Sequence, residues 1–575
     1  MFSIKKILPF LGWFPMRPEH IRADLIAGIT VALVLIPQSM AYANLAGLPA
    51  YYGLYAAFLP GAVAALFGSS RQLATGPVAV VSLLTASALL PFAQPGSSEF
   101  VSLAILMSLL IGVVQLVLGA LRLGVVVNFL SHPVILGFTN AAALIIGLSQ
   151  LSKILGVKMG RSEHFLYDIW GVLQQLQAVH WPSLVFGVGS FALMFTLKKR
   201  YPKLPNVLIA VALCTLISWL TGFESLGGKV VGTIPQGLPT VAIPSIDLNL
   251  MLNLLGTALI VSLVGFMEAI SIAKAMAART RDSIDPNQEL IGQGLGNLVG
   301  AFTQSYPTSG SFSRSAVNLD AGAKSGLSSV ITSLMVLVTL LFLTPLLYHL
   351  PEAVLAAVIM MAVVGLINVG AIHHAWQAHR HDGSAAIATF IASLGFAPHL
   401  DKGIFFGGGL AIVLYLYRTM SPRVALLGLH TDGTLRDVAF YPFLPTDPEI
   451  IVLRFDGQLY FANVSYFEEM VLDAVAAKPD ARFLLLVGDG INQMDASGEE
   501  VVDHLVERLD KNGTLMVFSG LKRQILQVMH STGLFERVGG AANIFATEQA
   551  ALQSIYDRLG RVQDRPLLTG VDCPA

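Results

Sequence analysis

Gly76-Pro77-Val78-Ala79-Val80-Val81-Ser82 and Ser309-Gly310-Ser311-Phe312-Ser313-Arg314-Ser315 are two stretches with a common reading. Each starts a helix inside a hydrophobic region, and the second adds small hydroxyl residues and a cation. A helix that begins within a membrane leaves backbone N–H groups without partners, a heavy cost unless something satisfies them. Interrupted segments at corresponding places in two halves of a chain point to a transporter's binding site. Helix N-termini offer free donors and about half a positive charge, so the species bound there is expected to be an anion.

The surrounding chain is apolar. Of its 575 residues 54% are hydrophobic and only 12% charged, against about 25% charged in soluble domains. Mean hydropathy is +0.68. This composition reads as a polytopic α-helical membrane protein. A net charge of -1 creates no global field for nucleic acid, and no such partner is expected. Cys214 lies in an apolar run and Cys573 in the tail, which excludes a disulfide framework and a thiolate metal site. Residues 1–23 carry Lys5 and Lys6, interrupted by Pro9, Gly12 and Pro15; they read as a cytoplasmic amphipathic lead-in, not a cleaved signal peptide.

About 14 transmembrane segments are expected, near 24–43, 50–68, 77–90, 100–120, 131–155, 181–197, 204–221, 253–278, 287–303, 312–320, 326–348, 351–368, 384–397 and 402–418. Several fall short of the roughly 20 residues that span a bilayer. Cations cluster before the first segment (Arg17, Arg22), after the sixth (Lys198, Lys199, Arg200, Lys203), after the eighth (Arg279, Arg281) and after the twelfth (Arg380). An even number of crossings separates each cluster from the next, so the positive-inside rule places all of them, and both termini, in the cytoplasm. The loop around 222–250 then lies outside. The segments split into seven plus seven, with the third of each half broken. An odd number of crossings per half forces an inverted repeat, in which two half-helices meet head to head near the midplane.

The texture changes near Val424. Strand-like runs from Glu449, Ala481 and Thr514 alternate with amphipathic patterns over Val464–Ala476, Ser497–Asn512 and Leu521–Thr532, which predicts a small α/β domain. The expected layout is a membrane domain over 24–420, a linker over 421–446, a cytoplasmic α/β domain over 447–562 and a tail over 563–575.

Asp24-Leu-Ile-Ala-Gly-Ile-Thr-Val-Ala-Leu-Val-Leu-Ile-Pro-Gln-Ser-Met-Ala-Tyr-Ala, Gly53-Leu-Tyr, Gly68-Ser-Ser-Arg, Gly76-Pro, Asn287-Gln-Glu-Leu and Ser313-Arg314-Ser315 occur in that order. Together they resemble the SulP (sulfate permease) anion-transporter family over nearly the whole chain. The tail resembles that family's STAS domain, which is related to anti-sigma-factor antagonists. The resemblance implies a core domain of segments 1–4 and 8–11, a gate domain of the rest, elevator-type alternating access and a homodimer. It leaves the STAS domain as the place for a cytoplasmic protein partner. It also implies an anion site formed by Gln38 and Tyr42 from the first segment, Pro77, Val78 and Ala79 from the third, and Phe312, Ser313 and Arg314 from the tenth. Backbone N–H groups, the Ser313 hydroxyl and the Gln38 amide would donate to the anion, while Tyr42 and Phe312 would exclude water. Arg314 has a second reading, as a structural cation bonded to carbonyls or to Glu268.

Glu268 sits in an apolar run, Val261-Ser-Leu-Val-Gly-Phe-Met-Glu-Ala-Ile-Ser-Ile-Ala-Lys. A carboxylate there costs about 2.5–3.5 kcal/mol on insertion scales, which makes it a functional candidate. Proton-coupled family members have a Glu at the matching place, so Glu268 is expected to couple a proton to the anion. It could instead be a fixed partner of Arg314. For a sodium site, the position one turn on is Ile272, which offers no ligand, although Thr308, Ser309 and Ser311 could supply oxygens.

His373, His374, His379, His381 and Asp382 read as a solvated cytoplasmic loop, and neither a metal nor a cofactor is expected. Met494-Asp495-Ala496-Ser497-Gly498 matches the loop that anti-sigma-factor antagonists phosphorylate, so Ser497 is a regulatory candidate; a plain helix N-cap is the competing reading. The chain has no Gly-x-x-x-x-Gly-Lys-Ser/Thr loop and no Ser/His/Asp constellation, so neither ATP-driven pumping nor an enzyme is expected.

The function expected is secondary active transport of a small inorganic or carboxylate anion, sulfate or bicarbonate foremost, across a bacterial inner membrane with a proton in preference to sodium. An exchanger of bicarbonate, chloride, sulfate or a dicarboxylate is the nearest alternative. A passive anion channel and a membrane sensor are the others.

Overall fold

Helices form wherever the apolar runs predict them. The computed structural model describes residues 8–561 apart from 125–130, 161, 163, 202–203, 245–246 and 431. Lys5, Lys6, Lys203, Cys573 and the tail over 563–575 therefore lie outside the described residues. The chain divides into two compact units, Met1–Ala411 and Ile412–Ala575.

In the first unit each expected segment has its helix. The first seven are α1 (Pro18–Leu45), α2 (Tyr51–Phe67), α3 (Ala79–Leu89), α4 (Ser98–Ala120), α5 (His132–Ser149), α6 (Trp181–Arg200) and α7 (Asn206–Thr221). The second seven are α8 (Leu248–Thr280), α9 (Pro286–Phe302), α10 (Phe312–Asp320), α11 (Leu327–Val338), α12 (Glu352–Val363), α13 (Arg380–Gly395) and α14 (Leu400–Met420), the last running across the division between the units. Among the described residues eight helices are long and apolar enough to cross a membrane, counting the continuations of α5, α11 and α12. The others are shorter; α3 and α10 are so because the chain breaks just before them, while α2 and α7 are apolar helices of fewer than 18 residues.

The two interrupted stretches meet. Strand β1 (Thr75–Gly76) pairs antiparallel with β2 (Ser309–Gly310), Thr75 opposite Gly310 and Gly76 opposite Ser309. Each strand runs straight into its half-helix, so an antiparallel pairing sends α3 and α10 away in opposite directions. That is the inverted repeat read from the segment pattern.

Helix α9 is the packing hub between the halves, lying against α4 and α2. Its run Gly292-Gln-Gly-Leu-Gly296 lets backbones approach as small residues do in membrane bundles. A Cβ on Gly292 would lie 2.6 Å from the backbone of Gly68, and one on Gly296 2.7 Å from the Pro60 carbonyl. Two buried carboxylates fasten loops of the opposite repeat. Glu289 Oε2 accepts from the N–H groups of Ser69 (2.9 Å) and Ser70 (3.0 Å). Asp24 accepts from Lys324 N (2.6 Å) and Ser325 N (3.0 Å) through Oδ1, and from the Ser325 hydroxyl through Oδ2 (2.6 Å). Buried charges need such partners, since one left bare costs far more than its hydrogen bonds return.

The histidine-rich stretch differs from its expectation as a loop. Val369–Ala378 and α13 are both helical, and His379 caps the second, accepting from His381 N at 3.3 Å. Among the described residues no group of three or more His, Cys, Asp or Glu side chains could hold a metal ion.

The second unit is a six-stranded sheet, in the order β4 (Leu435–Asp437), β3 (Arg423–Leu429), β5 (Ile450–Asp456), β6 (Phe483–Val487), β7 (Leu515–Ser519) and β8 (Ile544–Phe545). From β5 to β8 the strands are parallel, as alternating strands and helices require. The stretch 421–446, expected as a linker, instead supplies β3 and β4. Strand β3 pairs antiparallel with β5 from Arg423–Asp456 to Leu426–Leu453, burying Ala425 and Leu427. Its alternation was hidden by the apolar helix that it directly follows.

The Gly292 contact sets a test. Gly292→Ala forces backbone against backbone at Gly68, at a cost of about 1–3 kcal/mol, so the unfolding midpoint of the detergent-solubilised protein should drop by several degrees. Gly147→Ala, with nothing within 4 Å of the new Cβ, should leave it in place.

Candidate functional site

Helix α3 starts after Val78 and α10 after Ser311, both in extended backbone, and no side chain caps either helix. Their first-turn N–H groups thus remain as donors beside the β1–β2 bridge. Flanking bonds lock this arrangement: Ser311 N donates to Ala74 O (3.0 Å) and Ala74 N to Ser315 Oγ (2.9 Å).

Two side chains one turn apart on α9 hold β1 and the residue that leads into β2. Gln293 Nε2 donates to Thr75 Oγ1 at 2.7 Å. Asn297 Oδ1 accepts from Thr308 N (2.8 Å) and Thr308 Oγ1 (3.1 Å), while its Nδ2 donates to Thr308 O (3.1 Å) and Gln115 Oε1 (3.1 Å). Ser309 Oγ donates to Gly265 O of α8 at 2.6 Å, and the Ser82 and Tyr306 hydroxyls bond at 3.2 Å. Sequence reasoning missed these positioning residues. The available signal was the i, i+4 pair of amides on an otherwise apolar and glycine-rich helix.

Around the half-helices, α1 packs on α3 and α10, and α8 packs on α3, β2 and α10. The segments carrying the expected site residues therefore converge. Gln38 and Tyr42 are buried on α1 (6% and 5% exposed), and the Gln38 amide oxygen has no hydrogen-bond partner. Pro77, Val78 and Ala79 are buried at the start of α3, and Tyr42 and Ala79 share one apolar cluster. On α10 the three residues diverge. Ser313 is exposed and Phe312 is 56% exposed, so Phe312 is not packed as the wall expected of it, whereas Arg314 is fully buried.

No hydrogen bond reaches the Arg314 guanidinium, and among the described residues no ion pair joins it to Glu268. Tyr42, Tyr306 and Glu268 are the groups within its electrostatic reach. Glu268 Oε2 is likewise buried without a partner. A buried cation and two helix N-termini therefore make the region positive where solvent screening is weak, which suits an anion.

Ser497 lies in the second unit, half-buried, as the second residue of the helix Ala496–Lys511. The N-cap is Asp495, whose Oδ1 accepts from Gly498 N (2.9 Å) and Oδ2 from Phe461 N (3.0 Å). The plain capping role is thus taken by Asp495 and not by Ser497. In the same unit three hydrogen-bonding and charge partners (Thr434 first, then His430 and Arg436) hold the Asp432 carboxyl below the usual carboxylate range.

Residues 21–389 match the profile of the sulfate permease family, and residues 441–551 that of the STAS domain. A probable sulfate transporter of Arabidopsis thaliana, 4.2, is 36% identical over 557 residues, covering 93% of this chain and 82% of its own length. A probable sulfate transporter of Mycobacterium tuberculosis is 31% identical over 560 residues, covering 95% of this chain and 99% of its own. Among solved structures, SLC26A9 superposes with a TM-score of 0.90 at 24% identity, over 97% of this chain and 93% of that one. The transmembrane domain of a cyanobacterial bicarbonate transporter, BicA, does so with a TM-score of 0.58 at 23% identity, over 69% of this chain and 98% of that one.

The α9 clamp gives the second test. Asn297→Leu leaves the Thr308 N–H and carbonyl buried and unpaired, a loss on the order of 2–5 kcal/mol. Uptake of substrate by reconstituted protein should fall to background, with a lowered unfolding midpoint. Thr75→Val, which removes only the acceptor of Gln293, should cost less on both measures.

Proposed function

The chain belongs to the sulfate permease family of membrane anion transporters, and on that premise we propose that it carries a sulfate-class anion inward by proton-coupled secondary transport. Neither its family nor its sites are those of an enzyme. The anion sits between the N-termini of α3 and α10, bound by backbone N–H groups at Val78–Ala79 and Phe312–Ser313, by the Ser313 hydroxyl and by Gln38. Pro77 sets the start of α3, Tyr42 closes one side, and Arg314 contributes charge from behind.

The observation that carries this reading is a fully buried Arg314 with no acceptor beside a half-buried Glu268 whose buried Oε2 has no partner and which makes no ion pair to Arg314. A carboxyl fixed in a salt bridge takes up a proton less readily; Glu268 is not so fixed. Sodium is the weaker choice, because the position one turn on from Glu268 is Ile272, which offers no ligand. In the proposed cycle α1–α4 and α8–α11 move together as the transport body, supported by the cross-repeat bonds of Asp24 to Ser325, Glu289 to Ser69 and Asn297 to Gln115. The domain limits follow the sequence reading, 24–420 for transport and 447–562 for STAS, to which 421–446 adds β3 and β4, in a homodimer with both termini on the cytoplasmic side of a bacterial inner membrane. Ser497 remains a regulatory candidate within the STAS domain.

The test is uptake of radiolabelled sulfate and bicarbonate into proteoliposomes, with and without an inward proton gradient and with sodium replaced by choline. Sulfate uptake should rise several-fold with the gradient and ignore the choline exchange. Glu268→Gln should abolish the stimulation by the gradient. Full gradient dependence in that variant would remove Glu268 from the coupling role, and uptake that needs only a counter-anion inside would make the protein an exchanger.

A further inference from the structure

A cavity of about 10 Å³ lies beside the Arg314 guanidinium, enough for one water-sized particle. Its walls come from α1, α2, α11 and β1, through Leu35, Gly61, Ser329, Ser333 and Thr75. Of the eight residues assigned to the transported anion, Arg314 is the one that lines it. Its backbone therefore belongs to the N-terminus of α10, while its charge is delivered behind the β1–β2 bridge. Gly76 makes the passage: a Cβ there would stand 3.4 Å from Arg314 Nη2.

The chemistry of the lining selects an occupant. Arg314 is fully buried, and its Nε, Nη1 and Nη2 have no hydrogen-bond partner in the protein. A guanidinium taken out of water is costly unless negative charge and hydrogen-bond acceptors accompany it; Glu268 lies within its electrostatic reach but makes no hydrogen bond to it and does not line the cavity. Ser329 and Ser333, four residues apart on one face of α11, have hydroxyls free to rotate toward it. The Thr75 hydroxyl already accepts from Gln293, which leaves its own hydrogen to give. Thr332, by contrast, is spent on the carbonyls of Gly28 and Ser328, both at 2.9 Å. Arg314, Ser329, Ser333 and Thr75 can each donate into the cavity; its size excludes a polyatomic anion such as sulfate, and a monatomic one fits once the serine side chains give by a few tenths of an ångström.

We infer that this pocket binds a monatomic anion of the chloride class, held by the Arg314 guanidinium and the Ser329 and Ser333 hydroxyls, at a site separate from that of the transported anion. Its occupancy gives the buried guanidinium a counter-charge behind the β1–β2 bridge. The inference rests on the transport reading only in placing the substrate at the backbone donors of α3 and α10.

The experiment uses the full-length protein in detergent. Its unfolding midpoint is followed as sodium chloride replaces sodium gluconate at constant ionic strength, with and without saturating sulfate. The midpoint should rise with chloride in both series. Ser329→Ala/Ser333→Ala should raise the half-saturating chloride concentration about tenfold or more while sparing the sulfate-dependent rise; Ser333→Val gives the same readout should the double variant not fold. Gln38→Ala should do the opposite, keeping the chloride response and weakening that to sulfate. No chloride response in the wild type means the pocket holds water alone, and a response competed away by sulfate or lost in Gln38→Ala places chloride at the transport site. Either result overturns the inference. Absent sulfate uptake with an intact chloride response would count against the transport reading and leave this site standing.

Discussion

The pairing of Thr75–Gly76 with Ser309–Gly310 is the constraint from which the first unit takes its arrangement. Two residues per strand are too few to be stable alone, so the bridge exists only because other groups hold it. Helix α9 does so with Gln293 on one strand and Asn297 beside the other, and it gets close enough because glycines line its faces. The result is a pair of helix starts aimed at a shared place with their donors left over. Fixed donors that need no rearrangement when charge arrives are what make such a place a good anion site.

Much of this was legible in the sequence. Proline and glycine next to apolar runs mark the two breaks, and run lengths with cation placement give the repeat and its inversion. The segments that carry the expected site residues, α1, α3 and α10, do pack together. Less legible was anything depending on contacts between distant segments. Nothing local to Gln293 or Asn297 says which backbone they will hold. Nor could the sequence distinguish Phe312, which points away from cover, from Arg314, which turns fully inward two residues later; at helical spacing those positions occupy different faces.

The second unit repeats the lesson on a smaller scale. Strands β5, β6 and β7 are continuous apolar runs with glycine or aspartate at their ends, and they were found from those signs. Strand β3 has similar alternation but adjoins α14, so its hydrophobic residues merged with the helix pattern. At the start of Ala496–Lys511, Asp and Ser compete for the capping position, and composition alone does not separate them. Asp495 wins because one carboxylate can serve both its own helix and the Phe461 N–H.

The bridge also has a meaning for how the protein is made. Ala74 and Ser315, joined by a hydrogen bond, stand 241 residues apart. At synthesis rates of about 5–20 residues per second, α3 waits on the order of tens of seconds for the strand that completes its start. During that interval a helix of 11 residues, too short to cross alone, must be sheltered by its neighbours or by the insertion machinery. Damage to the bridge should therefore be felt first during biogenesis, as chains cleared before they ever reach working form.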